Sequence, residues 1–288
     1  MRVTNSMLVH NALVGVRQRL ADLAKAQERA TTLAKVNTMS DDPVAGAQLA
    51  RIGSSLRDID QWKKNATQAR TMLSAEDVAL TSMRKLLQQA REIATGVSQL
   101  SAVDPMRQQA LSQLGDIQKQ LVALGNTRVG DQYLFGGTRT TTPPFLDDGT
   151  YVGDSSVRQV EIDDGVTVGT THAGDHSVGG ALLSLTTLEQ SVATEAAPEI
   201  ATSVADLQAY EDQLLTDQAE VGARLQSIAT SQSSLASRAN SALDLRDATN
   251  LIDPAQALVE VQTSQTALER AYAVVGRVLQ TNILDFLK

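Results

Sequence analysis

Both ends of the chain carry apolar residues in a 3-4 repeat, the spacing of a heptad stripe along one side of a helix. The N-terminal stripe contains Val9, Leu13, Val16, Leu20 and Leu23. The C-terminal stripe contains Leu258, Val261, Leu268, Tyr272, Val275, Leu279 and Phe286. The same repeat places three polar residues inward, at Gln27, Gln265 and Asn282. A helix with so narrow an apolar side cannot bury it alone. These two terminal stripes are therefore predicted to be assembly surfaces that pack against the other chain end or another subunit.

The middle of the chain predicts a bundle of longer helices. Heptad patterns run over residues 43–100, 105–124 and 204–242. Asp42, Asp104 and Asp253 each precede a proline. An aspartate followed by proline suits a helix start, because the carboxylate accepts unpaired backbone N–H groups and proline has no N–H to leave unpaired. These three aspartates are the predicted helix caps.

Residues 136–180 have a different character and predict a β insert. This stretch contains nine of the 18 glycines of the chain. Apolar residues alternate with polar ones on both sides of the step Asp163-Asp164-Gly165, a pattern typical of a β-hairpin. Seven acidic and two basic residues give the stretch a formal charge of −5. We expect a small, exposed and acidic lobe.

The predicted fold class is mainly α, an elongated antiparallel helical bundle or coiled coil built from both chain ends, with a small central β-rich insert domain. Residues 1–40 and 251–288 are predicted as terminal coiled-coil segments, residues 41–132 and 185–250 as the bundle, and residues 133–184 as the outer insert. The terminal stripes include polar and small residues and so bury little area. We therefore expect residues 1–38 and 254–288 to be mobile in the monomer and to become ordered on assembly.

Composition and charge remove several classes of function. Only 3% of the residues are aromatic, which is few for a compact enzyme core, and the net charge of −8 disfavours binding to nucleic acid. The absence of cysteine excludes disulfides. No apolar run approaches the length of a membrane span, and the N-terminus does not have the pattern of a secretory signal. Six basic and two acidic residues in 1–35 could steer the chain toward acidic surfaces or form solvated helix faces.

Candidate chemistry is sparse. His172, Asp175 and His176 lie on a Gly/Thr-rich segment, but a metal site needs a further committed ligand that this segment does not supply. We predict no catalytic residue, no metal and no cofactor. An enzyme or metal-dependent hydrolase that uses the insert is retained only as an alternative.

A short run of aromatic residues and glycines marks the passage from bundle to insert. Tyr133, Phe135 and Phe145 are predicted to form an apolar plug there, with direct contact to a neighbouring subunit as the alternative role for Tyr133 and Phe135. Gly136 and Gly137 would permit the sharp change of direction.

Four stretches of the chain resemble the flagellin superfamily. They are residues 2–7 (RVTNSM), 40–45 (SDDPVA), 126–145 (NTRVGDQYLFGGTRTTTPPF) and 282–287 (NILDFL). Within this superfamily the flagellar hook-associated protein 3 family fits best, because the run YLFGG followed by Pro144-Phe145 is the more specific element. Flagellins proper resemble this chain only at its two terminal regions and lack that element.

This resemblance implies a non-enzymatic structural subunit that joins the flagellar hook to the flagellin filament. The implied partners are the first hook-associated protein, flagellin, further copies of the chain in a ring, and an export chaperone at the C-terminal helix, with no nucleic acid and no membrane. The implied location is the extracellular flagellum, reached by flagellar export without a cleavable signal peptide. Flagellin itself, or another filament-forming subunit, is the alternative.

Overall fold

The computed structural model describes residues 5–101, 104–194 and 197–286 and is dominated by helices. The α-helices are α1 (Asn5–Thr32), α2 (Pro43–Val97), α3 (Pro105–Gly125), α4 (Gly180–Ala193), α5 (Ala197–Asn250) and α6 (Pro254–Phe286). The strands are β1 (Arg128–Val129), β2 (Gln132–Tyr133), β3 (Gln159–Asp163) and β4 (Val166–Gly169). They form two antiparallel pairs, β1 with β2 and β3 with β4. The predicted class, a mainly α helical bundle with a small β insert, is confirmed.

The chain divides into two compact units. The first consists of Met1–Arg57 and Arg238–Lys288, so it combines both chain ends. The second is Asp58–Ser237 and holds most of α2 and α5, all of α3 and α4, and both hairpins. The finer division into terminal segments, bundle and insert remains a proposal. Among the described residues, no helix joins the length and the apolar character that crossing a membrane would require.

The core of the second unit is built on heptad stripes of α2 and α5. On α5, Leu207, Leu214, Val221 and Ile228 are spaced seven residues apart and are all fully buried. Burying a side chain of this kind stabilises a fold by about 1.5–3 kcal/mol. The stripe of α5 therefore accounts for a large part of the attachment of this helix to the unit.

Polar residues between these apolar positions set the alignment of α5 with α2. Arg84 Nη1 donates a hydrogen bond to Gln218 Oε1 at 2.6 Å, and the amide of Gln218 donates to Thr81 at 2.7 Å. About two turns further along α2, Arg91 lies 3.7 Å from Glu211. Contacts at rising positions on α2 and falling positions on α5 show that the helices run antiparallel. Polar groups at inward positions specify register, because any slip leaves them unpaired.

The β3–β4 hairpin is packed onto the helices of the second unit. Gly165 takes the turn with φ +67°, as the Asp-Gly step predicts. Ile162 is fully buried, and its carbonyl oxygen accepts a hydrogen bond from Ser231 of α5 at 2.9 Å. The amide of Asn65 on α2 donates to the carbonyl oxygen of Glu161 at 2.8 Å. The hairpin therefore packs its apolar side on the bundle and leaves Glu161 and Asp164 exposed.

The last part of the predicted insert is helical. Residues Asp175–Gly179 form a π-helical turn that continues into α4. Val178, Ala181, Leu182 and Leu185 are buried, and their 3-4 spacing is that of a helix packed on one side. Glycines 179 and 180 obscure this periodicity in the sequence.

Candidate assembly surface

The predicted partner of each chain end is found in the other end. Within the first unit, α1 packs against α6, and Arg29 lies 3.7 Å from Glu260 across this contact. Of the terminal stripes, the residues that are buried or half-buried are Val9, Val16, Leu23, Val261, Leu268 and Val275. These six residues occupy one heptad position on each helix, so only half of each stripe is used in the pairing.

The other half of each stripe is exposed to solvent. The exposed fractions are 47% for Leu13, 46% for Leu20, 58% for Leu258 and 52% for Tyr272. We call these four residues the exposed stripe. Leu279 and Phe286 fall outside the part of the chain whose side chains the structure describes, and the same holds for Asn282.

The contact between the helices keeps one heptad position of the predicted stripe and shifts the other by one residue. The shifted position is filled by residues that lie one place earlier in the sequence, namely Ala12, Ala26, Ala257, Ser264 and Ala271. Small side chains let two helices approach closely. The prediction that Gln27 and Gln265 point inward is wrong, because both are exposed. This shift leaves the side-chain amides of Gln27 and Gln265 in water and so avoids the cost of burying them.

Backbone hydrogen bonds tie together the two linkers beside the helix pair. The N–H of Lys35 donates to the carbonyl oxygen of Asn250 at 2.7 Å, and the N–H of Val36 donates to the side chain of Asn250 at 2.8 Å. In return, the N–H of Ile252 donates to the carbonyl oxygen of Leu33 at 3.1 Å. Leu33 has φ +54°, a left-handed conformation that costs about 1 kcal/mol or more in a residue other than glycine. The hydrogen bonds between the two linkers stabilise this unfavourable conformation at the end of α1.

The three predicted cap residues each stand immediately before a helix. The carboxylate of Asp42 accepts from the N–H of Val44 at 2.9 Å, that of Asp104 from Met106 at 2.8 Å, and that of Asp253 from Ala255 at 2.7 Å.

The neighbouring Asp41 closes the linker before α2. It accepts hydrogen bonds from the backbone and side chain of Thr38, each at 3.0 Å, and from Lys25 at 3.3 Å. These bonds, those of Thr38 first, lower the pKa of Asp41 to about 2.

The predicted plug residues lie in the second unit, in the segment that follows the end of α3. Phe135 and Phe145 are buried, and the centre of the Phe145 ring lies 5.1 Å from that of Tyr151, with the two rings tilted by 48°. Tyr133 is only half-buried and lies under the guanidinium of Arg128, at 5.0 Å from its ring centre. Of the three aromatic residues, Phe135 and Phe145 are therefore core residues, and Tyr133 lies nearer the surface.

Gly136 and Gly137 carry the chain through a tight turn beside this plug. Gly137 has φ +66°. A side chain at Gly136 would collide with the backbone of Arg139, and one at Gly137 would collide with Asp154.

His172 is the centre of a buried polar network that sequence reasoning missed. Its Nδ1 lies 2.8 Å from Glu76 on α2, and its Nε2 lies 3.1 Å from Glu220 on α5. His176 instead lies 3.5 Å from Asp217, so the two histidines contact different carboxylates. The described residues contain no group of three or more potential metal ligands. A sequence signal did exist, since Glu76 occupies a heptad core position of α2 between Ala69 and Met83.

Arg107 is a second polar residue in a core position that the sequence reading overlooked. It is buried, and its guanidinium donates to the carbonyl oxygen of Val192 at 2.6 Å, to that of Val97 at 3.2 Å, and to that of Leu100. These carbonyls lie at or just beyond the C-terminal ends of α4 and α2, where backbone oxygens lack helical partners and a positive charge is favourable. Arg107 therefore caps the C-terminal ends of both α4 and α2.

Comparison with known proteins agrees with this architecture. The family described as the bacterial flagellin N-terminal helical region matches residues 3–140. Flagellar hook-associated protein 3 of Escherichia coli (strain K12) is 28% identical over 179 residues, which cover 61% of this chain and 56% of that protein. A flagellin of Listeria monocytogenes is 27% identical over 127 residues, 44% of each chain. The chain therefore matches little more than half the length of its most similar curated relatives.

Solved structures share the fold over most of the chain. A flagellar hook-associated protein of Vibrio parahaemolyticus superimposes with a TM-score of 0.66 at 20% identity, covering 73% of this chain and 99% of that one. The flagellar junction protein FlgL of Legionella pneumophila superimposes with a TM-score of 0.54 at 16% identity, covering 72% and 100%. The family match and the curated relatives confirm that this chain resembles the flagellin superfamily and, within it, the hook-associated protein 3 family, and the solved structures show that it shares their fold.

Proposed function

We propose that this chain is a structural subunit of the bacterial flagellum that joins the hook to the flagellin filament, and that it assembles through the exposed stripe of α1 and α6. The observation that carries the proposal is the division of each terminal stripe into a half used within the subunit and a half left in water. Such a division suits a subunit whose terminal helices must pair with each other and with neighbours.

The exposed stripe supplies enough apolar surface to drive association. Leu13, Leu20, Leu258 and Tyr272 are each about half exposed, and further burial of each would contribute roughly 1 kcal/mol. Val14, Val259 and Val274 lie beside these residues and are 49–59% exposed. Repeated over several subunits in contact, these increments favour an assembly over the free chain.

The relatives indicate the partners. They are named for the hook-associated region of the flagellum and, in the Legionella protein, for a junction. By analogy, the chain would contact the first hook-associated protein on one side, flagellin on the other, and copies of itself in a ring. An export chaperone would bind α6 before assembly. The role is non-catalytic, and its location is the extracellular flagellum, reached by flagellar export without a cleavable signal peptide.

A filament-forming role is the second candidate. The match to a Listeria flagellin and to the flagellin N-terminal family favours it. The two roles differ in self-assembly, because a filament subunit polymerises alone into long fibres and a junction subunit does not. Electron microscopy of the concentrated pure protein separates them.

The exposed stripe can be tested by replacing apolar residues with glutamine, which retains helix propensity. We expect Leu20→Gln together with Leu258→Gln to abolish filament attachment in cells that lack the native protein, while the purified double variant keeps its helical circular dichroism. Leu183→Gln, an equal change at a leucine of α4 that is 70% exposed, is the matched control and should support attachment.

Two outcomes would contradict the proposal at different levels. Normal filaments on cells carrying the double variant would reject the exposed stripe as the assembly surface. Normal filaments on cells lacking the protein altogether would reject the junction role itself.

A further inference from the structure

His172 lies between two helices of the second unit, just after β4. It is buried, with 7% of its surface exposed. Its backbone N–H donates to Glu76 Oε1 at 2.7 Å, and its ring Nδ1 lies 2.8 Å from the same oxygen. Its Nε2 lies 3.1 Å from Oε2 of Glu220. One side chain thus connects the end of the hairpin to both α2 and α5.

Counting donors and acceptors indicates the protonation state of this cluster. An ionised carboxylate only accepts hydrogen bonds, and a neutral imidazole has a single N–H. Two ring nitrogens facing two carboxylates are both satisfied when each nitrogen carries a proton. Glu76 is fully buried, and a buried charge is costly unless it is paired. An imidazolium at His172 supplies the countercharge that Glu76 requires.

Other charged groups modify this balance. Arg224 of α5 opposes a positive charge on His172, but its Nη2 lies 3.1 Å from the Glu220 carboxylate, which offsets part of its charge. On the segment of His172 itself, Asp175 accepts a hydrogen bond from Ser155 at 2.5 Å, and His176 faces Asp217. The two glutamates therefore dominate the surroundings of the ring.

Titration of the cluster follows from these contacts. Burial acts to lower the pKa of His172, but the hydrogen bond and charge of Glu76, together with the hydrogen bond of Glu220, outweigh it and raise the pKa above its ordinary value of 6.5. In turn, the hydrogen bond from His172 lowers the pKa of Glu220 below 4.5.

We infer that doubly protonated His172 is a pH-sensitive clasp that fastens the end of the β3–β4 hairpin to α2 and α5 and opens as the pH rises. The inference goes beyond the assembly role and does not depend on it. Loss of a ring proton removes the charge that neutralises Glu76 and leaves one ring nitrogen without a hydrogen to donate, so the contact weakens. The segment around residue 172 is the part that should loosen.

The direction of the pH effect follows from the two shifts. Because the pKa of His172 is raised in the folded state, its contribution is complete below pH 6.5 and is lost as the pH rises through the folded value. Because the pKa of Glu220 is lowered, its contribution is complete above pH 4.5 and is lost as the pH falls through its folded value. The clasp should be tightest between these two pH values.

Nitrogen NMR of the full chain labelled at histidine tests the protonation state. The chain has three histidines, so His10→Gln and His176→Gln suffice to assign His172. We expect both ring nitrogens of His172 to be protonated at pH 6.5, with a titration midpoint above its ordinary value of 6.5. Glu220→Gln removes one exposed carboxylate and should lower this midpoint. Glu260→Gln, which removes a carboxylate in the first unit, is the control and should leave it unchanged.

Hydrogen exchange of the His172 amide gives a second readout. After correction for intrinsic rates, the population of the open segment should rise by up to about tenfold for each pH unit between pH 6.5 and the His172 midpoint, and it should level off above that midpoint. In His172→Gln this pH dependence should disappear. A neutral ring at pH 6.5, which would mean that a glutamate holds the proton, overturns the inference. So does an opening population that does not change with pH.

Discussion

Gly137 shows how a single residue controls the exit from the bundle. Its φ of +66° suits glycine, and Asp154 fills the space that a side chain would need. Asp154 accepts hydrogen bonds from the side chain and backbone of Thr138 and from the backbone of Ser156, and these lower its pKa to about 2. The turn therefore combines a required backbone conformation with close packing.

Replacing Gly137 by alanine should be costlier than the same change at Gly130. Both glycines have positive φ, but a side chain at Gly130 meets nothing within 4 Å. We expect Gly130→Ala to cost about 1 kcal/mol from the backbone conformation, and Gly137→Ala to cost about 1–3 kcal/mol more from overpacking. Urea unfolding of the two variants measures the difference. Equal losses would show that Asp154 moves aside freely.

Buried polar residues are the part of the structure that sequence reading handled least well. Glu76 and Arg107 occupy core heptad positions, where an apolar residue is expected, and each forms hydrogen bonds with a group distant in sequence. The position itself was visible in the heptad pattern. The partners were not, because His172 is 96 residues from Glu76 and Val192 is 85 residues from Arg107.

At the scale of the element, α5 is the helix that its sequence describes best. It carries an apolar residue at every seventh position from Leu207 to Ile228, and the structure fully buries all four of these residues. Helix propensity and tertiary packing agree along this length. Polar residues at the intervening positions, such as Gln218, fix the alignment of α5 with α2 instead of adding buried apolar area.

Truncating a buried leucine of the α5 stripe should therefore destabilise the chain, whereas truncating the exposed leucine next to it should hardly change the stability. Leu214 is fully buried, whereas Leu215 is 53% exposed. We expect Leu214→Ala to destabilise the chain by about 2–5 kcal/mol and Leu215→Ala to change stability by about 0.5 kcal/mol or less. Thermal unfolding followed by circular dichroism gives both values. A small loss at Leu214 would mean that the bundle collapses to fill the cavity.

At the scale of the whole molecule, the two units differ in how much they bury. Along α1, the described residues that are buried are Val16 and Ala26, whereas α5 buries a residue in every turn or two of its length in the second unit. Little buried area means that local opening is inexpensive. The predicted mobility of residues 1–38 and 254–288 in the monomer stays a prediction, and residues 1–4 and 287–288 lie outside the described structure.

Hydrogen exchange in dilute monomer tests this difference. Amides of α1 and α6 should exchange about 100-fold faster, relative to intrinsic rates, than amides of residues 207–228, which would correspond to about 2.7 kcal/mol of opening free energy. Assembly should then protect α1 and α6 selectively. Equal protection of all these helices in the monomer would contradict folding of the terminal helices on assembly.

The sequence by itself determined the long helices, their cap positions, the hairpin turn and the family resemblance, because each depends on neighbours along the chain or on local motifs. The tertiary structure alone decided which half of each terminal stripe is buried, since that choice depends on the close approach of α1 and α6 through small residues. It also decided where the hairpin packs and which carboxylates His172 contacts, because both depend on groups brought together from α2 and α5. Periodicity predicts a side of a helix but not the residue that faces the partner.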